Sequence, residues 1–402
     1  MGTALGIRLL IAEEAYLILK KRLLFDYDGD ERATPIQDSR KKIMKYVIPL
    51  LPLTCELETK PVLKKLAKAH QALAELKGIT GIIPNQSILV NTLSLQEAKD
   101  SSAIENIIAT HDELYQSDVF AKHFATLASK EVYSYVLALQ NGYAEVKSSG
   151  LLINNTILCI QAILEENSAG FRKVPGTELK NNRTGETVYT PPQDGGQILS
   201  LMNNLEQFIN NDALSDLDPL IKMGIIHHQF ESIHPFYDGN GRTGRIINIL
   251  YLVKCGLLDS PVLYLSRYIN QRKGEYYQLL QSVRTESSWE SWVLYILEGI
   301  EKTSRQTTRL IQEIRDLMQH HKHKMRRELS KIYSQDLLNV IFSHPYTKVA
   351  FLERDLGLTR ITATRYLNEL VRIGLMNKVK LGRDIYYVNI ELFALLSKVG
   401  EL

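Results

Sequence analysis

Residues 234–245 read His-Pro-Phe-Tyr-Asp-Gly-Asn-Gly-Arg-Thr-Gly-Arg and lie between two apolar runs. Upstream, residues 216–233 are apolar on nearly every side (Leu217, Leu220, Ile221, Met223, Ile225, Ile226, Phe230). That composition predicts a buried helix that delivers His234 to a site. Downstream, residues 246–254 (IINILYLVK) are again apolar, so the glycine-rich turn is expected to open a second helix. Backbone N–H groups at a helix start point outward and bind anions. Gly239 and Gly241 let the backbone approach a phosphate closely. Arg242 and Arg245 are three apart, so on the first helical turn they share a face and can grip neighbouring phosphates with planar donor forks. Twelve residues thus supply a candidate base, a carboxylate suited to a metal, three glycines and two arginines. This is most of what is needed to hold a nucleoside triphosphate and move part of it.

The run resembles, position for position, the signature of the Fic (Fic/Doc) family, H-x-F-x-D/E-G-N-G-R-x-x-R, with Asp238 at the acidic position. The resemblance implies a mainly α fold: a Fic-type helical core with a β-hairpin flap. It also implies a protein adenylyltransferase that moves AMP from ATP to a Tyr, Thr or Ser hydroxyl of a protein, itself included, and releases pyrophosphate. His234 would be the general base, since an imidazole suits that task near neutral pH. Asp238 would hold Mg²⁺, a hard cation that prefers carboxylate and phosphate oxygens. Gly239, Asn240, Gly241, Arg242, Thr243, Gly244 and Arg245 would form the nucleotide-binding loop, with the two arginines at the β/γ end. Phe236 is expected to pack beneath the loop.

Residues 96–108 contain Ser101-x-x-x-Glu105-Asn106, similar to the inhibitory helix motif S/T-x-x-x-E-G/N of the same family. There the Glu pairs with the second motif arginine, here Arg245. One carboxylate then competes with one phosphate for the same guanidinium. Ser101, Glu105 and Asn106 are therefore the regulatory residues the resemblance implies. Residues 169–192 read as a β-hairpin: a β-branched arm, Thr187-Val188-Tyr189-Thr190, follows Asn-Arg-Thr-Gly turn chemistry and stops at Pro191-Pro192. In the family a hairpin here registers the target segment by strand addition, which makes Val188, Tyr189 and Thr190 the candidate docking residues. A helix near 276 lines the adenine pocket in the family, which puts Tyr276 and Tyr277 forward.

At 402 residues, 45% hydrophobic and 23% charged, the chain has the composition of a globular protein with two or three domains. A formal charge of +3 argues nothing about partners. Cys55, Cys159 and Cys255 stand far apart in no CxxC spacing, which points to buried thiols in a reducing, cytoplasmic compartment. No apolar run reaches membrane-spanning length without charges. Residues 4–25 are interrupted by Arg8, Glu13 and Glu14 and carry their basic cluster late, a pattern of an amphipathic helix rather than a secretory signal. His227 and His228 invite a metal reading, but zinc wants several convergent N or S ligands, so helix histidines with satisfied hydrogen bonds are expected.

Helices are further expected over 60–77, 91–118 (carrying the inhibitory motif), 128–145, 151–166 and 288–315. After a basic stretch at 320–327 (HHKHKMRR) come helices over 337–343, 348–356 and 359–373, then strands over 375–379 and 385–388. This order resembles a small winged helix-turn-helix (α+β) domain. Arg360, Thr362, Thr364 and Arg365 would lie on its recognition helix and Lys378, Lys380 and Arg383 on its wing. Residues 321–402 hold 14 Lys/Arg against 8 Asp/Glu, more positive than the chain as a whole, which suits duplex DNA; winged helices also dock proteins. The organisation expected is an unrecognised extension over 1–45, a helical region with the inhibitory helix over 46–130, a catalytic domain over 131–300, a helical linker over 301–330 and the winged helix over 331–402. Relatives in the family often pair as homodimers. A second functional class stays open, a DNA-binding regulator whose Fic domain senses nucleotide, as does a transferase that uses another nucleotide donor. The intact His234 favours the enzyme.

Overall fold

The computed structural model of the chain describes residues 46–83, 86–117, 124, 126–181, 184–381 and 384–398. The extension at 1–45 and the wing residue Arg383 lie outside them. In chain order come α1 (Lys60–Thr80), α2 (Gln86–Ile104), α3 (His111–Gln116), α4 (Leu127–Ser149) and α5 (Asn154–Glu165). A short antiparallel hairpin of β1 (Leu179–Lys180) and β2 (Thr187–Tyr189) follows, then α6 (Gly195–Asn210), α7 (Pro219–Ile233), α8 (Asn240–Lys254), α9 (Leu265–Gln271), α10 (Lys273–Glu286) and α11 (Trp289–Glu328). The C-terminal part holds α12 (Gln335–Ser343), β3 (Tyr346–Thr347), α13 (Val349–Leu356), α14 (Arg360–Arg372), β4 (Asn377–Leu381), β5 (Asp384–Val388) and α15 (Ile390–Lys398). The fold is mainly α, as the sequence implied.

α7 and α8 form the centre. Every α7 residue from Leu220 to Ile233 is buried, and α8 is buried from Arg242 through Leu252, so each helix is enclosed on all sides and carries its polar residues, Glu231 and Arg245 among them, into the interior. α4 and α5 pack on α8, and α2 packs on α4 and α9. Trp292 of α11 locks onto α7: its indole N–H donates to the Gly224 carbonyl at 2.8 Å.

The helix expected over 91–118 is two helices. α2 stops at Ile104 because Asn106 takes a left-handed backbone, φ 63°, and Ile107 N–H reaches back to the Ser102 carbonyl at 3.0 Å, the hydrogen bond that closes a helix C-terminus. α3 restarts behind a capping box, with Thr110 and Glu113 each bonding the other's backbone N–H. Glu105 therefore sits in a turn just past the end of a helix. The helix expected to end near 315 instead continues to Glu328, and its inner face lies along α1. The strands at the C-terminus start two residues later than expected or one residue earlier, and Tyr346–Thr347 adds a third strand, giving the order β3-β5-β4. Two residues are too few to carry a period-two signal. Tyr346 also ties this part to the core: its hydroxyl donates to the Asp112 carboxylate and its ring stacks on Tyr115.

Trp292→Ala is expected to lower stability by about 3–5 kcal/mol, because it empties a site between α7 and α11 and removes the indole hydrogen bond to Gly224. Chemical denaturation followed by far-UV circular dichroism reads this; an unchanged midpoint would contradict the packing described.

Candidate active site

α7 ends at His234, whose φ of 49° and ψ of 59° place it in the left-handed region. That turn reverses the chain into Pro235–Asp238, and Gly239, at φ 78°, starts α8. Asn240 closes the loop on itself: its carboxamide accepts from Phe236 N–H at 2.9 Å and donates to the Phe236 carbonyl at 2.8 Å. Its side chain is thus occupied in holding the turn. Phe236 is fully buried, with Phe171 and Phe230 around its ring. Asp238 is exposed and accepts from Gly239 N–H at 2.7 Å through one oxygen.

The turn floors a cleft of about 660 Å³. His234, Tyr237, Asp238 and the backbone of Gly239 to Arg242 line it, facing Glu105, Glu131, Ser134, Leu164 and Glu165. The two glycines matter here. A Cβ on Gly239 would collide with the Glu165 carboxylate, and one on Gly241 with the Glu105 carboxylate. Each glycine therefore admits an anionic oxygen to the start of a helix.

Both arginines of the motif hold carboxylates. Arg245 is buried, and its NH2 donates to Glu105 Oε1 at 2.7 Å and to the Ser101 carbonyl at 3.0 Å, with Nε on Ser101 Oγ at 2.8 Å. Burial pushes the Glu105 carboxyl up, but the Arg245 guanidinium outweighs it and holds the carboxyl below its usual range. For Arg245 burial acts downward and Glu105 again prevails, raising it. Arg242 is equally buried, with NH2 on Glu165 Oε1 at 2.7 Å and NH1 on Glu131 Oε2 at 3.1 Å. Asn106 takes part through its backbone, and its side-chain oxygen accepts from Lys273 Nζ at 3.1 Å. Thr243 and Gly244 face inward; Gly244 lets α8 close on Phe230 and Glu231 of α7.

His234 is held neutral. Burial pulls its imidazole down to about 4, Arg172 and Arg284 push the same way, and Glu105 and the Glu231 carbonyl oppose. A neutral imidazole is the form that can take a proton. Glu231 lies three residues before it, fully enclosed, and burial raises its carboxyl to about 7.

Other residues singled out in the sequence fall differently. Tyr276 is interior, paired with His227 Nε2 at 2.9 Å and packed on Trp292, so it lines no open pocket; Tyr277 is half exposed beside it. In the hairpin, Val188 and Thr190 face out, but Tyr189 turns in, donating to the Ser232 carbonyl at 2.8 Å under the Arg284 guanidinium. His227 and His228 each bond through Nε2 alone, to the Tyr276 hydroxyl and the Leu280 carbonyl, and the buried Nδ1 atoms have no hydrogen-bond partner, so the expected full satisfaction is not met. Nor are the thiols buried, Cys55 and Cys159 being exposed and Cys255 half-buried. Sequence reading missed Glu131, Glu165, Arg172, Glu231 and Arg284. Only Glu231, three before His234 on the same buried face, had a signal: a carboxylate in an apolar run.

Three family profiles match the chain. The Fic/DOC family N-terminal profile covers residues 63–144, the Fic/DOC family profile residues 152–252, and the profile of the protein adenylyltransferase SoFic-like C-terminal domain residues 317–392. The protein adenylyltransferases Fic of Drosophila erecta and Drosophila melanogaster are each 31% identical over 130 residues, 32% of this chain and 25% of theirs. The chain thus aligns with about a quarter of the length of these relatives. A Fic family protein from Desulfovibrio desulfuricans G20 shares the fold, with a TM-score of 0.52 at 18% identity over 82% of this chain and 96% of that one.

An NMR titration of the labelled imidazole is expected to put His234 near pH 4, neutral throughout pH 5–8. Because the folded value lies below the unfolded value of about 6.5, the unfolded chain binds this proton first. The group's contribution to stability therefore declines as pH falls through about 6.5 and levels off near 4. A midpoint at or above 6 would contradict the enclosure described.

Proposed function

The chain belongs to the Fic/Doc family, and on that footing we propose that it transfers AMP from ATP to a Tyr, Thr or Ser hydroxyl of a protein, under restraint by Glu105. The observation that carries the reading is the cleft itself, where a neutral His234 and two carboxylate-filled anion seats share one wall. A carboxylate fixed over a glycine at a helix start stands in for a phosphate oxygen. In the reaction the acceptor hydroxyl oxygen attacks the α-phosphorus as its proton passes to the His234 imidazole. The bond to the bridging oxygen breaks, and pyrophosphate leaves with the electron pair.

Arg245 is prepared for that work. Ser101 grips one edge of its guanidinium through both a carbonyl and a hydroxyl, so the fork keeps its place whether Glu105 or a phosphate takes the other edge. Arg242 would meet the nucleotide only after giving up Glu165 or Glu131. Among the described residues no group of three or more His, Cys, Asp or Glu could cage a metal ion. One exposed carboxylate, Asp238, fits the donor set of Mg²⁺ arriving with substrate phosphates, since that ion commonly takes one or two carboxylates and completes its shell with phosphate and water. It would neutralise charge on the departing phosphates. Val188 of β2 and Thr190 just past its end face outward, where a target segment would lie.

The C-terminal part supports a second activity. Arg360, Ile361 and Arg365 on α14 and Lys378 and Lys380 on β4 are all exposed. A basic helix beside a basic hairpin is how a winged helix meets duplex DNA.

The first test gives purified wild type, Glu105→Gly and His234→Ala Mg²⁺ and ATP labelled at the α- or the γ-phosphate. Label from the α-position alone is expected on protein, higher by about tenfold or more in Glu105→Gly, as some 1.4 kcal/mol of relieved competition gives. In His234→Ala it should fall by about 10²–10⁴-fold while ATP binding persists. Label from the γ-position would mean a kinase; none from either, with ATP bound, would favour another donor or a sensor. For DNA, four phosphate contacts predict a slope of log K against log salt of about −3 to −4; a flat response would assign the surface to a protein.

A further inference from the structure

The left-handed turn at His234 leaves a structural debt. Where a helix ends, its last carbonyls have no partner within it, and here those of Ile233 and His234 are closed off from water by the segment that follows α5. Arg172 lies on that segment, and only 1% of it is exposed. Its Nε donates to the His234 carbonyl at 2.7 Å and its NH2 to the Ile233 carbonyl at 3.3 Å. Its own backbone N–H donates to the Pro235 carbonyl at 2.8 Å. Three consecutive carbonyls are thus read by one residue. The next two residues continue the strap: the N–H groups of Lys173 and Val174 both donate to the Tyr237 hydroxyl oxygen, at 3.0 and 3.2 Å.

We propose that Arg172 is a positioning residue for the base, fixing the left-handed backbone at His234 so that the imidazole faces the cleft. This rests on His234 being the base. A residue with a Cβ rarely adopts this conformation, so it persists only where the surroundings hold it. A guanidinium does this better than an amine, because its planar fork meets two carbonyls at once. It also places a fixed positive charge beside the imidazole. The charged groups acting on that ring are Arg172 and Arg284, which disfavour its protonation, and Glu105, which favours it together with the Glu231 carbonyl; burial acts with the arginines.

The test uses the full chain carrying Glu105→Gly, so that turnover is measured without the competing carboxylate, and adds Arg172→Gln, Arg172→Lys or His234→Ala. Arg172→Gln is expected to lower kcat by on the order of 10²-fold, as misplacement of a reacting group does, with KM for ATP held within about threefold. The acid limb of its pH–rate profile should move to higher pH, because one of the two like charges near the ring has gone. Arg172→Lys keeps the charge without the fork, so its acid limb should stay in place while kcat remains depressed. An NMR titration of His234 in the same variants reads the charge effect independently of turnover. Equal falls for Gln and Lys with both acid limbs unmoved would reduce Arg172 to a structural residue, and a KM that rises as kcat holds would move it to nucleotide binding. Loss of transfer in His234→Ala beside an unaltered Arg172→Gln overturns this inference alone. Transfer surviving in His234→Ala overturns the assignment of the base and this inference with it.

Discussion

A buried guanidinium cannot be left without an anion, because the desolvation it suffers is recovered only through a partner of opposite charge and a full set of hydrogen bonds. Arg245 is such a group, and the active-site half of the molecule is arranged to satisfy it. Ser101 supplies two acceptors and Glu105 the charge, which requires the C-terminal end of α2 to abut the first turn of α8. Asn106 makes that end possible by taking the left-handed position that stops the helix. Glu105 then lies at the negative pole of α2, where a carboxylate is disfavoured by roughly 0.3–1 kcal/mol. The contact is therefore held chiefly by Arg245, with Arg242 and Lys273 adding to it, and opposed by its own helix.

The second arginine shows the same principle with a different outcome. Arg242 draws Glu131 from α4 and Glu165 from α5, so one side chain ties three helices together above Gly239. The excess of carboxylate has a cost: Glu165 remains raised despite its ion pair, through burial first, with Asp238 and Glu131 adding to it and Arg242 opposing. Negative charge accumulates around the cleft, and the two glycines let the Glu165 and Glu105 carboxylates close over the start of α8.

Much of this was legible in the sequence because the decisive residues are contiguous. The burial of α7 follows from the apolar run 216–233 and the helix start after Gly239 from the run that succeeds it, while the pairing of Glu105 with Arg245 is what the resemblance of two short motifs implied. What escaped reading is long-range. Arg172 and Arg284 flank His234 from 62 and 50 positions away, and nothing in their local sequence distinguishes a buried arginine from a solvated one. Glu131 and Glu165 look like the polar faces of amphipathic helices, which is what they would be without Arg242. Tyr189 was expected among the docking residues with Val188 and Thr190, but a phenol that finds the Ser232 carbonyl and a guanidinium face is better placed inside. The break in the helix after Ile104 carried a local sign, Thr110 followed by Glu113, that was outweighed by the apolar residues on either side.

The length of α11 has a mechanical consequence. Its 40 residues make a rod of about 60 Å, anchored at one end by Trp292 against the helix that leads into His234 and joined at the other to the basic C-terminal part. The same part grips Asp112 and Tyr115, a few residues beyond Glu105. Catalytic turn, rod, C-terminal part and α3 thus form a closed linkage of stiff members. Because α11 also lies along α1, the rod is braced, and the C-terminal part is held to the rest of the molecule at two places rather than one.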